Sequence, residues 1–374
     1  MNYAAGYKAT FYATLIDPAT WTETEEIDLI SGSVNNTADG LRQSATLQVR
    51  DFDRTREYWI RVYMDARQGE DVEHIPLFTG VVSAPREDVD GTIAKNDLSC
   101  YSVLEPVDTP MTIGEYIARG ANAGKAIRRL LQPTPAPVEI EENAPALDDY
   151  IIAEDNETNL TMIQRVLDSI GWQMIIQGDG TIYVRPKPIT PEIEFSQSGA
   201  DVVEPQVSKT RDWFKTPNVL KVTAGDAVAI ARDEDPNSPL SIPARGREII
   251  KSERDVKLSD NEGLAEYAKR KLQEEQQVAE TVEYTRRFIP GIYVGDIVRT
   301  NYSSLSGVYE IKSQTISLTY NAQTHEQAER ADAATDTNWL DITPTQTWNA
   351  LVMPDNLYLL MPGNLRLLVP AKRL

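Results

Sequence analysis

The sequence predicts a β-rich α+β fold, in which two β-structured regions flank a small α/β insert and a short β repeat follows. Three observations support this prediction. Short segments rich in β-branched and aromatic residues, separated by turn signals, fill residues 1–108 and 193–335. Residues 109–192 contain a helical pattern followed by a hairpin pattern. Residues 336–374 form a linker and a proline–leucine repeat with a period of about eight residues. We expect these four ranges to be the domains.

The first 108 residues are predicted to form many short strands, a pattern typical of a barrel or a sandwich. A turn is expected at residues 88–91, where Asp88 to Gly91 interrupt the apolar pattern. The predicted strands cover residues 7–16, 46–50, 59–63, 77–82 and 97–101.

The insert is expected to begin with a helical segment and a polar stretch. Residues 113–131 have helical apolar spacing, but Gly120 and Gly124 predict a weak or broken helix. The proline-rich residues 132–137 are expected to form a stiff linker. Residues 139–157 contain eight acidic and no basic residues, which predicts a solvated loop.

A compact helix-and-hairpin unit is predicted next. Apolar residues of 160–170 recur at helical spacing, and Gly171 marks the end of that helix. Residues 172–177 and 181–185 are then expected to be two strands around a Gly-Asp-Gly turn at 178–180. This pattern predicts a helix packed on a hairpin, which is a small α/β domain.

Residues 193–335 return to β structure, interrupted by one helix. Ser259 and Glu262 have capping-box spacing and predict a helix that runs to about Gln277. The predicted strands cover residues 220–223, 227–231, 281–288, 297–301, 309–312 and 315–320.

The repeat in residues 336–374 combines tight turns with very short leucine-rich strands. Proline followed by aspartate or glycine and then asparagine favours a turn. Such a meander is too small to bury its apolar face alone. It therefore either folds back on its own domain, intertwines around a symmetry axis or inserts into a partner. The residues expected in this possible interface are Met353, Pro354, Asn356, Leu357, Met361, Pro362, Asn364, Leu365 and Pro370.

Composition excludes several classes of protein. The formal charge of −20 argues against nucleic acid as a bound ligand, although a negative channel wall would let DNA slide past. No apolar run is long enough for a membrane span, and no signal peptide is visible, so we expect synthesis in a cytoplasm, which the resemblance described below implies is bacterial, without stable membrane insertion. The single cysteine, Cys100, excludes an intramolecular disulfide and a cysteine-built zinc site.

Side chains that catalysis requires are scarce. The two histidines, His74 and His325, lie in polar stretches without a second histidine or cysteine at metal-ligand spacing, and we expect both to be solvated. Acidic pairs within residues 139–157 could serve a glycosidase, but such pairs are abundant in any chain this acidic.

Two further motifs are incomplete. Residues 120–126 are one residue short of a phosphate loop, and Ala126 stands where a hydroxyl is needed. Asp233, Asp235 and Asn237 have calcium-loop spacing, but Ser238 replaces the required glycine and Ala244 the bidentate glutamate. We therefore expect no metal, no cofactor and no enzymatic activity.

Several passages together resemble the hub proteins of phage tails, a group that includes the late-control gene D family and the baseplate hubs of contractile-tailed phages and prophages. The clearest passage is residues 290–299 followed by 307–311, which resembles a barrel hairpin of that group. The preceding capped helix, the helix and hairpin of residues 157–185, and the strand at 77–82 fit the same order. The resemblance covers about residues 1–320, and the C-terminal repeat departs from it. The residues of the turn motif are Gly291, Gly295, Asp296, Val298, Gly307 and Tyr309.

This resemblance implies a virion protein of the tail tip or baseplate, usually a homotrimer. Each copy would contribute two tube-like β-barrel domains, so that a ring continues the tail tube and lines the channel for DNA ejection. The implied partners are a tail tube or distal tail protein, a spike or tail-tip protein, a tape measure protein, and DNA as a transient passenger.

Two alternatives from other classes stay open: a tail-associated cell-wall hydrolase and a glycan-binding tail-tip protein. The hydrolase would need two placed carboxylates. The glycan-binding protein would need clustered aromatics, for which Trp339 and Trp348 are the candidates.

Overall fold

The structure is a computed structural model that describes residues 1–3, 6–38, 43–50, 52–83, 85–90, 93–111, 115–191, 193–196, 203–211, 213–214, 216–225, 227–254, 263–276, 280–331, 357–360 and 366–369. The chain divides into two compact units. The first comprises Met1–Thr216 and Val278–Ala331, and the second comprises Pro217–Gln277 and Asp332–Leu374. The β-rich α+β class is confirmed, whereas the four domain boundaries remain predictions.

The first unit begins with eight strands that pair antiparallel in the order β3-β4-β8-β6-β5-β1-β2, with β7 on β8. Their apolar residues alternate toward one core, which includes Phe78 and Leu98. The strands are β1 (Lys8–Asp17), β2 (Thr22–Ile27), β3 (Leu29–Thr37), β4 (Gln43–Val49), β5 (Trp59–Gln68), β6 (Asp71–Val82), β7 (Arg86–Asp90) and β8 (Ile93–Ser102).

Strand β7 corrects the predicted turn at residues 88–91. Arg86 lies opposite Asp97, and Asp88 lies opposite Lys95. Opposite charges facing each other across a ladder stabilise a strand pair, so the acidic residues continue the strand through Asp90.

The insert contains two short sheets and two helices that share one apolar cluster. Helix α2 ends at Gly171, which adopts the left-handed conformation, and a hairpin follows, as predicted. The elements are β9 (Tyr116–Ile117), α1 (Ala123–Leu130), β10 (Val138–Ile140), β11 (Ile151–Ile152), α2 (Asn159–Ile170), β12 (Trp172–Ile176) and β13 (Ile182–Pro186).

Three predictions for the insert were wrong in detail. The predicted helix 113–131 is helical only from Ala123, because Asn122 caps the helix by accepting a hydrogen bond from the Lys125 N–H. The proline-rich linker is packed: Thr134 is buried and donates a hydrogen bond of 2.6 Å to the Val103 carbonyl. The acidic loop contains the short strands β10 and β11.

Strands β14 (Ile193–Ser196) and β15 (Val203–Thr210) precede the second unit. In that unit, a three-stranded sheet of order β17-β16-β18 packs its Leu220 and Val222 against one helix. Its elements are β16 (Val219–Ala224), β17 (Ala227–Arg232), α3 (Ile242–Arg245), β18 (Ile250–Glu253) and α4 (Leu264–Glu275). The predicted capping box of Ser259 and Glu262 lies outside the described residues.

The chain returns to the first unit with β19 (Thr281–Arg287), β20 (Ile297–Asn301), β21 (Ser306–Ser317) and β22 (Gln323–Arg330). The two strands predicted at 309–312 and 315–320 are one strand, β21, with an irregularity between Ile311 and Ser313. Strand β22 was not predicted, because its polar residues alternate with only one buried apolar residue, Ala328.

A buried ion pair explains how such a polar strand joins the core. The Arg286 guanidinium lies 2.6 Å from the Glu326 carboxylate, and both side chains are at most 1% exposed. The Gln314 amide also donates to Glu326, at 2.7 Å. The three residues come from β19, β22 and β21, so this network fixes the register of three neighbouring strands.

We call β1 to β8 the first strand group, and β14, β15 and β19 to β22 the second strand group. One sheet runs through both groups, because β21 pairs with β3 from Ser313 opposite Thr37 to Ser317 opposite Ser33. Among the described strands, none of the sheets closes on itself, and the two barrels remain a prediction. Strands β23 (Leu357–Leu360) and β24 (Arg366–Val369) form a separate antiparallel pair. In the part of the chain that the structure describes, no helix has the length and apolar character of a membrane span.

Candidate functional site at the glycine–aspartate turn

The predicted turn motif is a closed turn anchored on β21. The Gly295 N–H donates to the Ile311 carbonyl at 2.8 Å, and the Ile311 N–H donates to the Asp296 carbonyl at 3.0 Å. The Asp296 carboxylate accepts a 2.8 Å hydrogen bond from the Tyr293 N–H. Gly291 and Gly295 have φ values of +79° and +91°, a conformation that favours glycine.

The other residues of the motif lie in the core behind this turn. Val298 on β20 and Tyr309 on β21 are fully buried and belong to one apolar cluster. The Tyr309 hydroxyl donates to the Ser306 carbonyl at 3.2 Å. A Cβ on Gly307 would lie 3.1 Å from the Tyr309 ring. The glycine–x–tyrosine spacing therefore lets the aromatic ring cover its own hairpin.

The tip of the β12–β13 hairpin docks on the first strand group. The Gly178 carbonyl accepts a hydrogen bond of 2.8 Å from Thr79 Oγ1. The Asp179 carbonyl accepts one of 2.7 Å from Arg61 and one of 3.3 Å from Trp21 Nε1. A Cβ on Gly178 would lie 1.9 Å from a backbone oxygen of β6, so only glycine allows this approach.

The base of the same hairpin docks on the glycine–aspartate turn. Arg185 lies 2.6 Å from the Asp296 carboxylate, and Lys187 lies 2.8 Å from the Glu310 carboxylate. Although burial alone would raise it, hydrogen bonds from Lys187 and Lys312 hold the pKa of Glu310 below its ordinary value. The hairpin thus contacts both strand groups. We call this arrangement of hairpin, β6 and turn the three-way junction.

Tyr293 lies within the three-way junction. Burial raises the pKa of its phenol, and the negative charges of Asp296 and Asp179 raise it further. Asp296 belongs to the turn, and Asp179 belongs to the hairpin tip. The two carboxylates that raise the pKa of this phenol therefore belong to different parts of the junction.

The cavities at the junction are small and are lined by both apolar and polar side chains. Volumes of about 170 and 200 Å³ share Asn36, Gln43, Ile176 and Tyr293 among their lining residues. Within the described residues, the buried oxygens Asn36 Oδ1 and Gln43 Oε1 have no hydrogen-bond partner. Small-molecule sites typically measure about 300–1,000 Å³, so these cavities suit ordered water better than a substrate.

Neither the two histidines nor Cys100 line the cavities at the junction. His74 is exposed on β6 beside Asp65, and His325 is exposed on β22. Cys100 is buried, which raises the pKa of its thiol to about 12. Within the described ranges, no group of three or more histidine, cysteine, aspartate or glutamate residues could hold a metal ion.

The carboxylates of the incomplete calcium loop bond to their own loop. Asp233 accepts from the Asp235 N–H at 3.1 Å, and Asp235 accepts from the Asn237 N–H at 2.9 Å. Ser238 also donates to Asp233, at 2.6 Å. The carboxylates of Asp233 and Asp235 therefore accept hydrogen bonds within their own loop.

The C-terminal repeat is described only in its two strands. Leu357 begins β23 and lies opposite Val369 of β24. The other residues of the predicted interface lie outside the described residues, as do Trp339 and Trp348. The role of the repeat stays a prediction.

Sequence reasoning identified the glycine–aspartate turn but missed its partner. Arg185 and Lys187 are 111 and 123 positions from the acids they contact. The only local signal is that both basic residues end a hairpin that otherwise has an apolar face. Nothing in that pattern indicates which distant carboxylates they meet.

The fold was compared with known proteins. No protein-family profile matches the sequence, and no curated relative matches it. The tail protein from Neisseria meningitidis MC58 superposes with a TM-score of 0.60 at 16% identity, covering 87% of this chain and 98% of that chain. The 43 kDa tail protein of prophage MuSo2 from Shewanella oneidensis gives 0.58 at 13% identity, covering 87% and 99%.

A more distant likeness extends beyond phages. A chain of the lidded PdpA–VgrG complex of Francisella gives a TM-score of 0.51 at 7% identity, and the match covers 89% of this chain and 54% of that chain. At these identities the comparisons establish the fold, and they agree with the resemblance in the sequence. The chain therefore has the fold of phage and prophage tail proteins.

Proposed function

We propose that this protein is a structural hub of a phage-like tail. A ring of about three copies would continue the tail tube and connect it to a spike or tail-tip protein. The observation that carries the proposal is a run of eight antiparallel strands through both strand groups: β15, β19, β22, β21, β3, β4, β8 and β7. The likeness to tail proteins supports it.

The two halves of this run have the same topology. In the half β3-β4-β8-β7, the strands are β3, β4, β7 and β8 in chain order. Counted in that order, the first strand pairs with the second, the second with the fourth, and the fourth with the third. The half β15-β19-β22-β21 repeats this order, with the second unit inserted between its first two strands. The proposed ring has three copies, and each copy contributes two tube-like barrels. Such a ring has sixfold-like symmetry only if the two halves of each copy are equivalent.

The ends of the run are suited to meeting another copy. Among the described strands, β7 pairs only with β8, and β15 pairs only with β19. Unpaired edges attract further strands. Val89 on β7 is 65% exposed, and Trp213 and Phe214, just after β15, are exposed aromatics. We propose that β7 of one copy pairs with β15 of the next, repeating the contact between β21 and β3.

One face of the run suits a channel wall. Directly opposed residues share a face of an antiparallel sheet, and on β3, on β4 and on β21 from Ser313 onward that face carries only uncharged polar residues. On the outer strands the same face also carries charged residues, among them Arg86 on β7 and Arg287 on β19. The central part of this wall would offer DNA neither cations that hold phosphates nor apolar patches that hold bases. The residues are Ser313, Thr315 and Ser317 of β21, Ser33, Asn35 and Thr37 of β3, and Ser44, Thr46 and Gln48 of β4.

The proposed role needs no reactive side chain. The junction cavities are small. The ion pairs of Arg185 and Lys187 join the hairpin to the second strand group. We therefore propose a protein without enzymatic activity, located in the virion. Its partners would be the tail tube or distal tail protein, the spike or tail-tip protein and a tape measure protein, with the C-terminal repeat as a possible interface.

Mass measurement of the purified full chain tests the proposal. We expect a native mass of about three chains, and Val89→Lys should shift it toward the monomer, because it places a charge in the contact between copies. Val72→Lys, at an exposed valine of β6, should leave the assembly intact. A wild-type protein that stays monomeric and hydrolyses cell wall would overturn the proposal.

A further inference from the structure

The insert presents an exposed aromatic and aliphatic patch. Tyr116 and Ile152 lie opposite each other in the β9–β11 pair. The Tyr116 and Tyr150 ring centroids are 6.4 Å apart. These three side chains are 57%, 52% and 53% exposed, respectively. Three large apolar side chains exposed side by side are uncommon on a surface that meets only water.

A groove next to this patch has an apolar floor and a basic rim. A cavity of about 440 Å³ between β9 and α1 is lined by Tyr116, Ile117, Ala121, Lys125 and Arg129, among others. Lys125 is exposed. Arg129 forms an ion pair with Glu115 at 2.9 Å, and both side chains are partly exposed.

The side of the groove formed by β9 and α1 is basic, whereas Tyr150 and Ile152 of the patch belong to the acidic residues 139–157. Residues 116–131 contain four basic residues, Arg119, Lys125, Arg128 and Arg129, and no acidic residue, in a chain of net charge −20. Arginine and tyrosine are among the residues enriched in protein interfaces. A basic rim around tyrosines therefore favours a partner that is acidic and carries aromatic or apolar side chains.

The backbone favours an extended partner. Strand β9 pairs only with β11 among the described strands, so an edge of β9 is open to a further strand. We propose that the groove between β9 and α1 binds an extended acidic segment of another protein, with its apolar side chains on Tyr116, Tyr150 and Ile152 and its carboxylates on Lys125 and Arg129. Binding to this groove does not require the ring of three copies.

Titration of the full-length protein with a labelled glutamate–tyrosine copolymer, followed by fluorescence anisotropy, tests the proposal. We expect binding that Tyr116→Ala weakens by about tenfold, since aromatic anchors dominate interfaces. Lys125→Glu should weaken it by about threefold, since exposed ion pairs contribute little each. An acid near the N-terminus of α1 suits the helix dipole, so this variant should fold normally.

Matched controls separate the groove from general attraction. Tyr320→Ala removes another exposed tyrosine, and Lys221→Glu makes the same charge change on the second unit; neither should alter binding. The proposal is overturned if the wild type does not bind the copolymer, or if the control and groove variants lose binding equally. Equal binding of polyglutamate would also overturn it, because the groove would then be only an anion patch.

Discussion

The two ends of the β12–β13 hairpin contact the two strand groups through different kinds of interaction. At the tip, the backbone carbonyls of Gly178 and Asp179 lie against the first strand group at a distance that only glycine permits. At the base, the ion pairs of Arg185 with Asp296 and of Lys187 with Glu310 hold the second strand group. One attachment depends on shape, and the other depends on ionisation.

This difference indicates a division of labour. Close backbone packing fixes position without regard to pH, because its acceptors do not titrate. Ion pairs at a partly buried surface add orientation and respond to protonation. Protonation can therefore weaken the contact of the hairpin with the second strand group without weakening its contact with the first strand group. The following variants break or sharpen this contrast.

The largest effect is expected at the tip. Gly178→Ala places a Cβ 1.9 Å from a β6 carbonyl oxygen, and we expect it to lower the free energy of unfolding by about 3 kcal/mol. Denaturant unfolding and hydrogen exchange in residues 172–186 would measure this. Gly263→Ala, whose Cβ would meet only Glu266 at 3.9 Å, is the control; because Gly263 is the N-cap of α4, it should cost at most about 1 kcal/mol. Wild-type stability of Gly178→Ala would show that the tip is not tightly packed.

At the base, Asp296→Asn removes the charge that Arg185 faces. Hydrogen bonds to charged groups are strong, so we expect a loss of about 2 kcal/mol in the free energy of unfolding. The exposed pair of Asp28 with Arg50 provides the control, since Asp28→Asn should change stability little. Equal losses in the two variants would mean that burial adds nothing to the Asp296 pair.

The turn glycines should respond less, and in a fixed order. Gly291→Val is strained by its positive φ and should cost about 1 kcal/mol. Gly295→Val should cost about 1.5 kcal/mol, because its Cβ would also displace Gln173 Oε1 from 2.6 Å. Unfolding midpoints and tail assembly in both variants would check this. Unchanged stability in both would contradict the turn conformation.

The smallest effect is expected in the pH dependence of the base. The pKa of Glu310 is lower in the folded protein than its ordinary value of 4.5. Its stabilising contribution is therefore present above that value and is lost as the pH falls through the folded pKa. Lys187→Met removes one cause of the lowering and should make the acid loss of stability shallower. Lys221→Met is the control, and equal slopes would rule out this linkage.

Local signals in the sequence were sufficient for much of the fold. The helix that ends at Gly171, the hairpin at 178–180 and the strand at 297–301 all follow from periodicity and turn chemistry. Strand β22 could not be predicted, since Glu326 is buried only because Arg286 and Gln314 meet it from two other strands. The weak or broken helix predicted over 113–131 is a helix only over Ala123–Leu130 among the described residues, because Asn122 caps the chain inside the apolar pattern.

For the candidate site, too, local sequence patterns predict the turn but not its distant contacts. The glycine–aspartate turn is visible in the sequence, because positive φ and a short turn restrict residue type. Its contacts with Arg185 and Lys187 depend on how separated segments pack. Ion pairs of that kind leave no periodic signal.

An averaged electron-microscopy map of the assembled tail tip would test the central claim most directly. We expect the strands from β15 to β7 to form a continuous inner wall, with β7 of each copy beside β15 of the next and Thr46, Asn35 and Thr315 facing the channel. A map in which that polar face points outward, or in which the chain occurs as single copies away from the tube axis, would contradict it.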